Sequence, residues 1–244
     1  MKQAANCQYC KNPVSQVNIA CEICTHIRSD EIAINTIKHW ASLDLLFHDH
    51  EFTGLEFTDR IVESCFMNLQ GNVLFYGKFN PGIEMSGMAA KLTGIQTESL
   101  LGCGDIRDSW PEMYAVINGK KLLSWGSSID ERMLRDLSEL YETPFDDDTV
   151  FLDLQPLYTR LFGEWSDELG CNKRMSLKAA ATKEGVYECK SHTADSDTNM
   201  VKEIFDKLLL LSVPDNNNSH QIAEPKKELN ISNPFAQFFN QKNN

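Results

Sequence analysis

Short apolar segments of strand length alternate with amphipathic segments of helix length through most of this 244-residue sequence. The early segments resemble strands, and Gln70-Gly71-Asn72 is a hairpin signal between two of them. Further along, strand-like segments alternate with helix-like ones, which is typical of strands covered by helices. The sequence therefore predicts an α/β layer fold whose mixed sheet is flanked by helices.

The bounds of the predicted elements follow from apolar periodicity and from turn and capping residues. The predicted strands are Leu43–Phe47, Arg60–Met67, Asn72–Phe79, Lys121–Trp125 and Thr149–Leu154. A first helix is expected to begin at Ser29-Asp30-Glu31, which has the residue types of a capped start. The other predicted helices are Met85–Leu92, Ser109–Ile117, Glu131–Tyr141, Leu157–Phe162, Ser176–Glu184 and Thr198–Leu211.

Composition divides the chain into three regions: a cysteine-rich segment at 1–28, the α/β domain at 29–213 and a polar, flexible tail at 214–244. The formal net charge of −12 argues against a broad basic face for nucleic acid. It is compatible with an enzyme that meets phosphates through divalent cations. No apolar run approaches the ~20 residues that span a bilayer, and no secretory signal is visible. We therefore expect a cytoplasmic protein without a membrane partner.

The cysteine-rich segment contains two Cys-x-x-Cys pairs, Cys7 with Cys10 and Cys21 with Cys24. Four thiolates in such pairs match the tetrahedral coordination of one structural Zn²⁺. So short a segment has no core of its own, and metal binding would be its main source of folding energy. The alternatives are a redox dithiol or unliganded cysteines. The predicted zinc module could bind another protein or brace the main domain.

Asp49 and Glu51 lie at the C-terminal end of the strand that the apolar segment Leu43–Phe47 predicts. Residues two apart in a strand lie on one face, so the two carboxylates are expected side by side. Burying adjacent carboxylates is costly without cations or hydrogen bonds. The pair therefore indicates a metal site, with exposed strand-end charges as the alternative.

Further candidates lie far downstream. Asp130 stands at the start of a predicted helix, where its alternative role is that of an N-cap. His192 precedes Asp197 by five positions, just before the last helix, and could instead be an ordinary loop histidine. Asp195 competes with Asp197 for this position, and the spacing favours Asp197.

Together these residues resemble the motifs of the DEDDh 3′→5′ exonucleases, of the proofreading-subunit and ribonuclease T type, which have a ribonuclease H-like fold. The matching residues, in the order of the family's three motifs, are Asp49, Glu51, Thr53 and Gly54, then Asp130, then His192 and Asp197. Segments that also resemble bacterial and phage members are Lys91–Ile95, Leu161–Trp165 and Ser176–Ala180. The resemblance covers residues 43–211, with the motif order and spacing intact.

The resemblance implies two-metal hydrolysis of phosphodiesters at nucleic-acid 3′ ends, with two Mg²⁺ or Mn²⁺ ions and release of 5′-mononucleotides. It implies that Asp49, Glu51 and Asp197 bind the first ion. Asp49 would also bind the second ion, which Asp130 supports through water. His192 would be the general base, a role suited to a side chain that titrates near neutrality.

The residues around the first motif have other expected roles. Phe52 and Thr53 are candidate substrate-binding residues, because an aromatic ring can stack on a terminal base. A place in the core is the alternative for Phe52. His48 and His50 flank the motif and could contact metal, but Phe47 and His48 are expected to be packing and hydrogen-bonding positions.

The tail ends in an aromatic cluster that includes Phe235, Phe238 and Phe239. It resembles a short motif that docks on a partner protein, and the alternative is that these rings pack back on the domain. For the whole chain we expect a 3′→5′ exonuclease that favours DNA. The alternatives are an exoribonuclease that trims RNA 3′ ends and a non-catalytic adaptor built on a degenerate exonuclease fold.

Overall fold

The computed structural model describes residues 22–169, 171–186 and 192–212, together with two short strands near the N-terminus. Side chains are described for residues 29–169, 171–186 and 192–212. The predicted zinc ligands Cys7, Cys10, Cys21 and Cys24 and the aromatic tail motif therefore lie outside the residues whose side chains are described. The two N-terminal strands, β1 (Ala5–Asn6) and β2 (Pro13–Val14), pair antiparallel.

A five-stranded mixed sheet forms the centre of the domain, in the order β5-β4-β3-β6-β7. Its strands are β3 (Leu45–Phe52), β4 (Ile61–Asn68), β5 (Val73–Lys78), β6 (Lys121–Ser124) and β7 (Val150–Asp153). The first three pair antiparallel, whereas β6 runs parallel to β3 and to β7. All five predicted strands are confirmed, and so is the mixed sheet.

Helices cover both faces of this sheet. They are α1 (Glu22–Trp40), α2 (Gly87–Thr93), α3 (Thr97–Leu100), α4 (Ile106–Ile117), α5 (Ser128–Leu140), α6 (Leu154–Phe162), α7 (Leu177–Glu184) and α8 (Ala194–Leu209). Side chains of α1, α6, α7 and α8 form one hydrophobic core with the sheet, and those of α4 and α5 form a second core on the opposite face. Among the described residues, no helix is long and apolar enough to cross a bilayer.

Helix α1 begins at Glu22, earlier than the start expected at Ser29-Asp30-Glu31. Asp30 lies inside this helix and therefore does not cap its start. Its Oδ1 forms an ion pair with Nη2 of Arg160 in α6 over 3.0 Å. Ile34 and Ile37 of α1 are buried. Packing on the sheet therefore stabilises a helix that runs across the predicted boundary at residue 28. The short hairpin of β8 (Trp165–Ser166) and β9 (Cys171–Asn172) was not predicted.

Strand β3 is longer than the predicted segment, which ended at Phe47. It continues through Phe52 because β4 pairs with it from Leu46 opposite Asn68 to Phe52 opposite Ile61. The acidic residues of the first motif therefore lie within a paired strand. Those backbone hydrogen bonds hold the carboxylates in a defined register.

Candidate active site

Strand β3 presents Asp49 and Glu51 on the face that packs against helix α8. The first turn of α8 brings Asp197 to the same place. One carboxylate oxygen from each of these residues lies within 4.8 Å of the others. Asp195, the competing aspartate, is exposed. The structure thus groups three of the predicted metal ligands, from elements far apart in the sequence.

His192 lies just before α8, whose N-cap is Thr193. Its φ angle of 73° is in the left-handed region, which residues other than glycine adopt at a cost. In this conformation its backbone N–H donates a hydrogen bond to Asp197 Oδ1 over 3.1 Å. The turn therefore connects His192 directly to the acidic cluster.

Asp130 lies in the first turn of α5 and is only 6% exposed. Ser127 occupies the N-cap position of this helix, so the alternative reading of Asp130 as an N-cap is wrong. Burial, together with the charge of Asp153, raises the pKa of Asp130 to about 8. Its charge also raises the pKa of Asp49, which places Asp130 near the cluster although it is not one of the three grouped residues.

The carboxylates of the cluster are electrostatically unfavourable as they stand. Burial, then the charge of Asp130, raises the pKa of Asp49 well above its ordinary value. Burial, with the charges of Asp197 and Glu63, raises the pKa of Glu51 to about 8. Burial also raises the pKa of Asp197, although the His192 N–H and its ring charge oppose this. A bound cation would stabilise all of these groups in their ionised form.

The donor set fits a hard divalent cation. Asp49, Glu51 and Asp197 offer only carboxylate oxygens, which are the ligands that Mg²⁺ and Mn²⁺ prefer. The residues present are therefore suited to hold such an ion.

Phe52 and Thr53 follow the acidic pair. Phe52 is half-buried and packs against the core that contains α4 and α5. Thr53 is fully buried, and its hydroxyl donates to Asp59 Oδ1 over 2.6 Å and accepts from the Arg60 N–H over 3.0 Å. The hydroxyl of Thr53 thus closes the loop that leaves β3.

His48 and His50 lie on the other face of β3, as packing and hydrogen-bonding residues. The ring nitrogens His48 Nδ1 and His50 Nε2 are 3.2 Å apart, and His50 Nδ1 lies 2.9 Å from the Ser64 hydroxyl. The His48 ring also stacks on Phe66 with a centroid distance of 5.6 Å. The expectation that His48 is a packing and hydrogen-bonding residue is confirmed.

Two further residues of the site were not predicted. Asp153, at the end of β7, accepts hydrogen bonds from the N–H groups of Gly126 and Gln155 over 2.8 and 2.9 Å. It thereby links the turn before α5 to the start of α6. Glu63 of β4 is completely buried on the acidic face. The sequence contains one signal that could have identified Glu63: it is the only charged residue in a largely apolar strand segment.

The mixed sheet and its covering helices form an α/β fold of the ribonuclease H-like type. Three solved structures share this fold: a full-length 3′-exonuclease, a 3′-exonuclease in a study of 3′-end-specific recognition of the histone mRNA stem-loop, and cell-death related nuclease 4 (CRN-4). Their TM-scores are 0.53, 0.53 and 0.54, with 17%, 17% and 12% sequence identity. The chain therefore shares the fold of these three nucleases.

The similarity covers 68% of this chain in all three comparisons. It covers 60%, 64% and 64% of the three matched chains, so the similar part is less than two thirds of each. No protein-family model and no curated protein matches the sequence.

Proposed function

We propose that this protein is a divalent-metal-dependent 3′→5′ exonuclease. The observation that carries the proposal is the convergence of Asp49, Glu51 and Asp197, whose oxygens lie within 4.8 Å of one another on an exonuclease fold. His192 and Asp130 match the remaining motif positions: the His192 N–H donates to Asp197, and the charge of Asp130 raises the pKa of Asp49. The proposal thus rests on five residues from three separate elements and one turn.

Asp49, Glu51 and Asp197 would hold the divalent cation, and Asp49 would be shared with a second one. Bound Mg²⁺ or Mn²⁺ would lower the pKa of a water molecule and neutralise charge on the phosphodiester. Asp130 is buried nearby and would accept a hydrogen bond from water at the same site.

His192 would act as the general base. One proton of the attacking water moves to an imidazole nitrogen, and the water oxygen forms a bond to phosphorus. The bond between phosphorus and the 3′ oxygen of the preceding nucleotide breaks, and that oxygen takes up a proton. The products are a nucleoside 5′-monophosphate and a strand shortened by one nucleotide.

The loop after β3 would form the rim that meets the terminal nucleotide. Its side chains Leu55 and Phe57 are 64% and 87% exposed. Arg132 of α5 holds this loop, because its guanidinium donates to the Leu55 carbonyl over 3.2 Å and lies 5.1 Å from the Phe57 ring centroid. Exposed apolar and aromatic groups can stack on unpaired bases of any sequence, and Phe52 and Thr53 would support the loop from below.

DNA is the substrate we expected from the sequence, and RNA is the second candidate. One of the matched structures concerns a histone mRNA stem-loop, which favours testing RNA 3′ ends with equal weight. The acidic cluster binds phosphate through cations, so it does not select the sugar. The choice would depend on groups that contact the 2′ position.

The test is digestion of 5′-labelled single-stranded DNA and RNA of one sequence with Mg²⁺ or Mn²⁺. We expect a ladder that shortens from the 3′ end, that EDTA abolishes, and that Asp49→Asn abolishes. The faster substrate identifies the sugar. If folded wild-type protein cleaves neither nucleic acid, the enzyme proposal is wrong and the adaptor interpretation takes its place.

The zinc module remains a separate proposal. We expect one equivalent of zinc per chain by elemental analysis, lost on Cys7→Ser with Cys10→Ser. Purified protein without zinc, with the four thiols free, would contradict it.

A further inference from the structure

Glu63 lies directly opposite Glu51 in the antiparallel pair of β3 and β4. Opposed residues in such a pair point to the same face, with their Cβ atoms about 5 Å apart. Glu63 is therefore on the acidic face, beside Glu51, and its side chain is completely buried. Like charges directly opposite each other destabilise a sheet, so this position needs an explanation.

The two carboxylate oxygens of Glu63 have different surroundings. Oε1 accepts a hydrogen bond from the Tyr76 hydroxyl over 2.7 Å and lies 3.6 Å from Lys78 Nζ. Oε2 is also buried, yet it has no hydrogen-bond partner among the described residues. A buried carboxylate oxygen without a protein partner is unusual in a folded protein and often indicates a site for water or an ion.

The charge of Glu63 acts on the acidic cluster itself. It is one of the causes that raise the pKa values of Asp49, Glu51 and Asp197. Glu63 is not, however, in the set of residues whose oxygens lie within 4.8 Å of one another. These facts favour a role next to the metal ligands over a role as one of them.

We propose that Glu63 is a positioning residue of the metal site, whose free Oε2 accepts a hydrogen bond from a metal-bound water while Tyr76 and Lys78 hold Oε1. This inference rests on the proposed function, because it requires that the acidic cluster binds a divalent cation. Residues of this kind orient ligands and water, and their loss typically weakens metal binding about 10- to 100-fold. The Glu63 carboxylate also adds negative charge that favours the cation.

A purely structural role for Glu63 is the competing explanation. In that case the carboxylate only anchors β5 through Tyr76, and its effect should be reproduced by removing the tyrosine hydroxyl. The two explanations therefore differ in whether Glu63→Gln and Tyr76→Phe have the same effect on metal binding.

The experiment is a calorimetric titration of metal-free protein with Mn²⁺, for wild type, Glu63→Gln, Glu63→Asp, Tyr76→Phe and Asp49→Asn. We expect Glu63→Gln to weaken Mn²⁺ binding about 10- to 100-fold, and Tyr76→Phe to weaken it much less. Glu63→Asp keeps the charge but withdraws it by one methylene, so it should also weaken binding. If Glu63→Gln does not fold, Glu63→Asp decides the question alone.

The inference is overturned if Glu63→Gln, or Glu63→Asp in its place, binds Mn²⁺ as tightly as wild type. It is also overturned if Tyr76→Phe weakens binding as much as Glu63→Gln does, because the structural role predicts that equality. Absence of Mn²⁺ binding in the wild type, with Asp49→Asn behaving identically, would instead refute the proposed function. The two failures are thus distinguishable.

Discussion

The two faces of strand β3 both bury titratable side chains, but they bury them in different ways. On one face, His48 and His50 hydrogen-bond to each other, and His50 also bonds to Ser64, within a core of aromatic rings. On the other face, Asp49 and Glu51 converge with Asp197, and none of these residues offers a positive charge. Successive side chains of a strand point to opposite faces, so a shift of one residue along β3 separates the histidines from the carboxylates.

This contrast distinguishes two roles of buried titratable groups. The histidines contribute to packing, whereas the fold positions the carboxylates for a cation. Burial lowers the pKa of His48 to about 3, so the imidazole stays neutral and packs as a polar aromatic ring. Burial raises the pKa of Glu51 to about 8, and the charge of Lys78 relieves only part of the cost of ionising this carboxyl group. A cation would relieve that cost on the acidic face and would change nothing on the histidine face.

The largest expected effect is the loss of activity when one ligand of the acidic face is neutralised. Asp197→Asn should lower kcat by about a thousandfold or more, equivalent to about 4 kcal/mol in the activation barrier. Asp195→Asn, two residues away and exposed, is the matched control and should retain near wild-type activity. Equal rates for the two variants in a steady-state assay would remove Asp197 from the site.

Replacing the proposed base should separate catalysis from metal binding. His192→Ala should lower kcat about 10²- to 10⁴-fold, the range typical of general bases, with little change in Mn²⁺ affinity. Its backbone N–H still donates to Asp197, so the acidic cluster should stay in place. A variant that loses Mn²⁺ binding together with activity would show that His192 acts on the metal site and not as a base.

The stability of metal-free protein should depend on pH in opposite directions for the two faces. The pKa of Glu51 is raised from 4.5 to about 8, so the folded state holds a proton that the unfolded chain releases. This contribution to stability is complete below pH 4.5 and is lost as the pH rises through about 8. Asp130, raised to about 8, acts in the same sense.

On the histidine face, the pH dependence of stability has the opposite sign. The pKa of His48 is lowered from 6.5 to about 3, so its contribution is present above pH 6.5 and is lost as the pH falls towards about 3. In thermal unfolding experiments, saturating Mn²⁺ should therefore abolish the loss at alkaline pH and leave the loss at acid pH. An alkaline loss that Mn²⁺ does not reduce would contradict the assignment of the acidic face.

The smallest effect concerns neighbouring residues of β4 that point to opposite faces. Ser64→Ala removes the hydroxyl 2.9 Å from His50 Nδ1 and leaves a buried ring nitrogen without its partner. We expect a loss of about 1–3 kcal/mol in the free energy of unfolding, measured by urea denaturation. Mn²⁺ affinity should not change, in contrast to Glu63→Gln one residue earlier. A weakened Mn²⁺ affinity in Ser64→Ala would mean that the two faces are not independent.

Local sequence patterns alone were enough to predict much of the fold and part of the site. All five strands of the central sheet were predicted, because apolar runs bounded by turn residues are local signals. The shared face of Asp49 and Glu51 follows from the period of two in a strand, whatever the rest of the chain does. The motif spacing likewise favoured Asp197 over Asp195, and the structure brings Asp197 to the cluster.

Long-range packing determined the features of the fold and the site that local patterns did not predict. Asp30 lies inside α1 and pairs with Arg160 on a distant helix, and no local capping pattern contains that partner. Glu63 joins the acidic face only through the register that sets it opposite Glu51. Register and helix placement depend on contacts between residues far apart in sequence. The sequence by itself therefore determined the elements and the chemistry of the carboxylates, and only the tertiary structure determined which of them meet.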